Sequence, residues 1–165
     1  GLGNILFNGY FSSMEKKGKV SWGLGPAIQI PTRTNPALGS NRLSLGPSFL
    51  FNHAGDKFSG GFVIQNYWSL GGEGQNKVNS FNLQYFTYYN LLKGWFLESN
   101  ASIVSNWRAE VGERMLLPLG GGGGKTFKIG KSDLFYCATA QLFYNAIRPE
   151  LIGEWQAVAQ FQIIF

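Results

Sequence analysis

The sequence predicts an all-β chain, an antiparallel up-and-down transmembrane β-barrel, and three observations lead there. Only 14% of the residues are charged while 16% are aromatic; an ordinary soluble domain has about 25% charged residues. A compact globule of this composition would carry too few charges to keep its surface wet. No stretch approaches the ~18 consecutive apolar residues of a membrane helix, and the mean hydropathy is close to zero. Of the membrane architectures this leaves the barrel, whose strands meet lipid only at every second residue. That alternation is plain in the last segment, "EWQAVAQFQIIF" (154–165), where Ala157, Ala159, Phe161, Ile163 and Phe165 oppose Gln156, Gln160 and Gln162 among Val158 and Ile164.

The same period defines nine strands, over 3–13, 20–30, 42–52, 57–70, 79–92, 94–107, 115–129, 134–147 and 154–165, in one domain covering residues 1–165. The second and third share the run Leu-Gly-Pro, in "WGLGPAIQI" and "RLSLGPSFLF". Each proline removes a ladder hydrogen bond, so a bulge or kink is expected at Pro26 and Pro47. In the fifth, Phe81, Leu83, Tyr85, Thr87, Tyr89 and Leu91 oppose Asn82, Gln84, Phe86, Tyr88 and Asn90. In the sixth, Trp95, Leu97, Ala101, Ile103 and Trp107 oppose Glu98, Asn100, Ser102 and Asn106. The seventh is glycine-rich at 120–124, which lets a sheet bend or a neighbouring side chain come close. The eighth sets Leu134, Tyr136, Ala138, Ala140, Leu142 and Tyr144 against Thr139, Gln141 and Asn145. No segment carries a convincing helical period.

The connections alternate between short ("MEKKGK", "HAGD", "KG", "GKSD") and longer ("PTRTNPALGSN", "GGEGQNKV", "RAEVGE", "RPELIG"). Short turns inside and long loops outside are the habit of outer-membrane barrels, and here every short turn falls on the periplasmic side. Single-chain bacterial barrels use even strand numbers. About nine strands in this chain therefore imply ten to twelve in the intact protein, with one or more lying upstream. With glycine at position 1 and no signal segment, a processed form or a fragment is expected.

Tryptophan provides an independent signal. Trp22, Trp68, Trp95, Trp107 and Trp155 each fall near a strand end on the apolar side, as the aromatic girdles of a membrane barrel require. Trp95 and Trp107 are 12 residues apart on one strand, which at ~3.3 Å per residue and the usual tilt spans about 30 Å, close to the apolar band. The charges avoid strand centres, with Glu98 the clearest exception, and its parity turns it inward.

Several chemistries are disfavoured. A single cysteine and a single histidine exclude a disulfide framework and multi-histidine or cysteine metal centres. The net charge of +5 forms no basic stripe, so nucleic acid is not expected as a partner. "GGGGGKT" (120–126) lacks the first glycine of a phosphate-binding loop, since Leu119 stands there, and no helix follows. His53 falls in an expected turn, away from any inward serine–acid pair. Cys137 reads as a small interior filler. No catalytic residue, metal or cofactor is assigned, and no enzyme is expected.

The inward parity selects a candidate lumen lining: Gln65, Tyr67, Asn82, Gln84, Phe86, Tyr88, Glu98, Asn100, Gln141, Phe143, Asn145, Gln160 and Gln162. Amides and hydroxyls with aromatic patches suit a narrow wet path for weakly polar solutes; side chains that fill a small barrel would give the same composition. Arg108 and Arg114 are expected near the outer rim, beside lipid phosphate, solvent or solute.

The whole chain resembles, in order, the "MetA-pathway of phenol degradation" family of outer-membrane proteins. The resemblance rests on "GLGNI" (1–5), "WGLGPAIQIPT" (22–32) with "ALGS" (37–40), "LSLGPSFLF" (43–51), "GGFVIQNYWSLGG" (60–72), "NSFNLQYFTYYNL" (79–91) and "GWFLESNASIVSNW" (94–107). It continues through "LLPLGGGGGKTFKIGK" (116–131), "AQLFYNAIRPE" (140–150) and the closing "EWQAVAQFQIIF". Family members carry further strands upstream and place apolar residues within the glycine run, which is uniform here. The resemblance implies a bacterial outer-membrane barrel passing small apolar or aromatic compounds. The alternatives are a structural barrel with a filled interior and a soluble lipocalin-like binder. The ending is similar to that of other Gram-negative barrels, whose terminal aromatic is read by the barrel-assembly machinery. Ala157, Ala159, Phe161, Ile163 and Phe165 fit that signal, and outer-membrane lipid and lipopolysaccharide would be the surrounding partners.

Overall fold

The computed structural model describes residues 1–12, 18–35, 40–70, 77–129 and 134–164. The alternating segments become β1 (Ile5–Asn8), β2 (Val20–Ile30), β3 (Ser44–Ala54), β4 (Phe58–Ser69), β5 (Asn79–Asn90), β6 (Trp95–Asn106), β7 (Met115–Lys128), β8 (Phe135–Ile147) and β9 (Trp155–Ile164). These nine form one sheet in chain order, every neighbouring pair antiparallel. The sheet is not closed, because β1 and β9 are its two edges. Ser13, Pro36, parts of the expected "MEKKGK", "ALGS" and "GGEGQNKV" segments, all of "GKSD", and Phe165 lie outside the described residues.

Adjacent strands are spaced about 4.8 Å, so alternate strands of a flat sheet would stand nearly 10 Å apart. Residues of β2 and β4 nonetheless approach within 8 Å, so the sheet curls, and one face becomes concave. Curling needs small side chains on the inside of the bend. On the concave face β2 offers Gly23, Gly25 and Ala27, and β3 offers Ser44, Gly46 and Ser48. Tyr10 lies over Gly23, and its hydroxyl is 2.8 Å from Ser48 Oγ.

At the two Leu-Gly-Pro runs, where a bulge or kink is expected, the structure has no bulge. Pro26 and Pro47 are direct cross-strand partners, and the β2–β3 register passes through them without a shift. Main-chain groups alternate sides along a strand, so the missing donors point away from each other, toward β1 and β4. Gly9 N–H still donates to the Pro26 carbonyl at 3.1 Å, but nothing returns. β1 therefore ends at Asn8 rather than running on to residue 13, although Phe11 resumes the pairing with Leu24 in the same register. Likewise β3–β4 pairing skips Gly46 and Pro47, then continues unshifted. The freed carbonyls settle over the preceding glycines: a Cβ on Gly25 would overlap the Gly9 carbonyl oxygen, and one on Gly46 the Asn66 oxygen. Glycine absorbs the loss, so no extra residue is needed. A register shift does occur at Leu117/Pro118 against β8.

At the short-turn end, Lys19 Nζ lies 2.7 Å from Asp56 Oδ2, tying the start of β2 to the β3–β4 turn. The hydrogen bond from Lys19, and then its charge, hold the Asp56 carboxyl below its ordinary value of 3.8. The β5–β6 turn takes left-handed backbone at Lys93 (φ 58) and Gly94 (φ 79).

Two predictions follow from this geometry. Gly46→Ala forces a methyl against the Asn66 carbonyl and should cost about 1–3 kcal/mol, read as a lower urea midpoint of the folded protein. Gly153→Ala, whose Cβ meets only an ordinary 3.7 Å contact, should leave that midpoint nearly unchanged. Because the Asp56 pKa is depressed in the fold, its contribution is present above the unfolded value and lost as pH falls through the folded one. Lys19→Gln should raise the Asp56 pKa toward 3.8, followed by carboxyl chemical shifts, and flatten stability against pH in that acidic window.

Candidate functional site: the concave face

Side-chain parity divides the sheet into two unlike surfaces. The convex one is apolar and exposed, with Leu97 at 54%, Leu142 at 53% and Phe161 at 61%. The buried polar residues are Ser44, Ser48, Gln65, Glu98, Ser105, Gln141 and Asn145, and apart from Ser105 they sit on the concave parity. This is the reverse of a soluble sheet packed on a core, where apolar side chains gather inside.

The five tryptophans lie on the convex parity, each roughly half exposed. Trp22 and Trp95 stand toward the short turns; Trp68, Trp107 and Trp155 stand toward the long loops. They are held in place. Lys125 Nζ sits 5.0 Å over the Trp95 ring, Trp107 Nε1 donates to Asn66 Oδ1 at 3.2 Å, and Trp155 packs 5.1 Å from Tyr144. Ala157, Ala159, Phe161 and Ile163 share the convex face of β9.

Of the candidate lining residues, Gln65, Tyr67, Glu98, Gln141, Phe143 and Asn145 are buried, and Asn82, Phe86, Tyr88 and Asn100 are half-buried. Gln84, Gln160 and Gln162 are exposed. Gln65 Oε1 accepts from Tyr67 Oη at 3.1 Å and Asn82 Nδ2 at 3.4 Å. Asn145 Nδ2 donates to the Gly153 carbonyl at 2.7 Å, and its Oδ1 accepts from Gln156 Nε2 at 2.9 Å.

The centre of this face is built around a break between β6 and β7. These strands pair at Trp95–Glu98 and again at Val104–Ser105, but not between. The register would have Asn100 N–H donate to the Gly120 carbonyl. Instead Asn100 N–H donates to Gln141 Oε1 at 3.0 Å, reaching across from β8, and Gly120 O accepts from Ser99 Oγ at 2.6 Å. Both orphaned groups are thus satisfied by side chains. The glycine run permits this: a Cβ at Gly120 or Gly122 would strike the β8 backbone, so β7 lies pressed against β8, and Gln141 passes over it. Gln84, Asn100, Gln141, Gln156 and Gln160, with Phe143, Leu116 and Val158, line a concave pocket of about 360 Å³.

Glu98 lies beside this break, 6% exposed, with Oε1 buried and unpartnered. Cys137 is also buried on the concave parity, at 7%. His53 departs from its expected place: it lies within β3 on the convex parity, opposite Val20 and Gly60, its ring 6.4 Å from Phe58. The third strand simply runs two residues further than the "HAGD" turn signal suggests. The candidate lining leaves out Ser44, Ser48, Thr139 and Gln156, although their parity alone would have included them.

An all-β chain with a polar concave face and an apolar convex one is the class these observations define. No protein-family model matches the sequence, and no curated protein or solved structure matches it. Among the described residues no three His, Cys, Asp or Glu side chains gather as a metal site, and no helix is long and apolar enough to cross a membrane, which leaves strands aside.

Gln141→Ala should leave Asn100 N–H unpartnered at a cost of about 1–3 kcal/mol. Faster hydrogen exchange at the Asn100 amide, with distant amides unchanged, is the expected sign.

Proposed function

We propose that this chain forms the wall of a bacterial outer-membrane β-barrel whose concave face offers a passive path to small apolar or aromatic compounds. The inverted face distribution carries the reading. A surface bearing Leu97, Leu142, Phe161 and Ile163 would be costly in water, at roughly 25 cal/mol per Å² of apolar area. Hydrocarbon removes that cost, and indoles at both ends of the strands suit the two interfaces. Every central strand pairs on both sides, as backbone in lipid must.

The solute class rests on the resemblance described above and on the concave face, where uncharged amides alternate with Phe86 and Phe143. No reaction is assigned. Outer-membrane lipid and lipopolysaccharide would surround the convex face, and the alternating end of β9 would be read by the barrel-assembly machinery. A second reading, a barrel with a filled interior and no transport, is favoured by the near-complete burial of Tyr67 and Phe143, at 3% and 1%.

Two measurements test this. The protein should require detergent to remain monodisperse; a stable monomer in plain buffer removes the membrane reading. Proteoliposomes should swell in isotonic solutions of small neutral solutes, faster for aromatic alcohols than for sugars of similar size. No swelling with any solute leaves the filled barrel and removes transport.

A further inference from the structure

We propose that the short-turn rim of the sheet binds the phosphate of anionic phospholipid headgroups, with Lys125 meeting it from the convex face. The inference rests on the membrane reading above and adds a charge preference to it. Eight of the nine lysines, all but Lys77, lie in the short turns or toward that end of a strand, while all five arginines lie in or beside the long loops. Glu15, Asp56 and Asp133 are the acids that accompany those eight lysines, whereas five acids accompany the arginines and Lys77. The net charge of +5 therefore belongs to the short-turn end, although no stretch of sequence is a basic stripe. Among the described residues that end carries Lys19, Lys57, Lys93, Lys125 and Lys128 against Asp56, which Lys19 already engages.

Lys125 differs from the others in standing within a strand. It lies three residues before the end of β7, opposite Trp95 and Ala138, on the same parity as Leu97, Leu142 and Phe161. Its amine sits 5.0 Å over the Trp95 ring, and the residue is half-buried. Rings continue beside it, Phe127 stacked on Tyr136 and Tyr136 on Phe161, each pair at 6.0 Å. Among the described residues the ion pairs are Lys19–Asp56 and Arg148–Glu154, so no carboxylate answers this ammonium. A lysine at the depth of the indoles extends its stem toward the headgroups, where phosphate is the anion within reach. Lys93, two residues before Trp95, and Lys128, three beyond Lys125, add exposed charge to the same strand pair. Each lysine near an anionic surface gives about a five-fold gain in partition, which neutral headgroups do not supply. A soluble acidic partner would meet the turns but not Lys125, which looks outward from the wall.

The test titrates phosphatidylglycerol and phosphatidylcholine of equal chain length into the protein folded in neutral detergent, and counts retained lipid by native mass spectrometry. Phosphatidylglycerol should bind about five-fold more tightly. Lys125→Gln should remove most of that preference, Lys125→Arg should keep it, and Arg108→Gln at the far end should leave it unchanged. Equal binding of the two lipids, or an undiminished preference in Lys125→Gln, overturns the proposal. So does a preference lost in Arg108→Gln, which would put the lipid at the long loops. If Lys125→Gln does not fold, the double variant Lys93→Gln/Lys128→Gln decides: a reduced preference supports the rim, and a full one removes it. Inorganic phosphate should displace the lipid no better than chloride at equal ionic strength; if it does, the rim takes the free anion and the lipid assignment falls. A protein that floats with neutral phosphatidylcholine vesicles but shows no preference keeps the membrane reading and loses this one. A protein that floats with no vesicle loses both.

Discussion

One constraint organises this molecule: a single sheet has two faces, and here the enclosed face is polar. Among the described residues there is no second layer against which apolar side chains could form a dry core. Enclosure comes from curling, and beside Ala27, Tyr67, Cys137 and Phe143 it takes in the polar Gln65, Glu98, Gln141, Asn145, Ser44 and Ser48. Because side chains alternate with period two, a slip of one residue in any strand would send its leucines inward and its amides outward. Register is therefore the quantity the sequence has to protect. The unshifted passage of β2 and β3 through two opposed prolines shows how it does so.

Glycine does that work by two related routes. At Gly25 and Gly46 it makes room for a carbonyl that proline has left without a donor. Along 120–124 it lets β7 press against β8, opening a gap toward β6 that Ser99 and Gln141 fill from opposite faces. The bend and the polar site are one feature seen twice. Without the missing Cβ atoms Gln141 could not cross to Asn100, and without Gln141 the bend would strand a backbone N–H. Glu98 inherits its isolation from the same arrangement, since the amide in its own row is already engaged.

The strands and their faces were legible because period two is a local property, readable within one segment. The tryptophans were legible for the same reason, their distance from a strand end being a sequence distance. Pairwise matters were not. Nothing within "LGP" tells that Pro26 will stand opposite Pro47, or that the preceding glycines will take up the freed carbonyls without an extra residue. The β6–β7 gap depends on three strands at once, so the glycine run announced a bend without announcing which amide would exploit it. His53 illustrates a smaller limit, because turn chemistry at "HAGD" marked the corner but not the two residues by which β3 runs into it. Ser44 and Ser48 were overlooked because hydroxyls this short were not counted as lining, although enclosure depends on curvature as well as on side-chain length.

Enclosure also depends on having neighbours, which separates β9 from the strands before it. Gln162 stands opposite Cys137, yet the cysteine is buried and the glutamine exposed. The two share a face and differ in that β8 is flanked on both sides while β9 is an edge. Edge strands that must live in water usually carry charge, proline or a bulge to discourage pairing. From Trp155 to Ile164 there is neither a charge nor a proline, and the pairing to β8 runs without a shift. The strand keeps the same apolar-out, amide-in alternation as the centre of the sheet, with its outer ladder of N–H and C=O groups unguarded. Such an edge is a liability in water and an ordinary wall segment where another strand meets it, so the chemistry of β9 matches that of an interior strand.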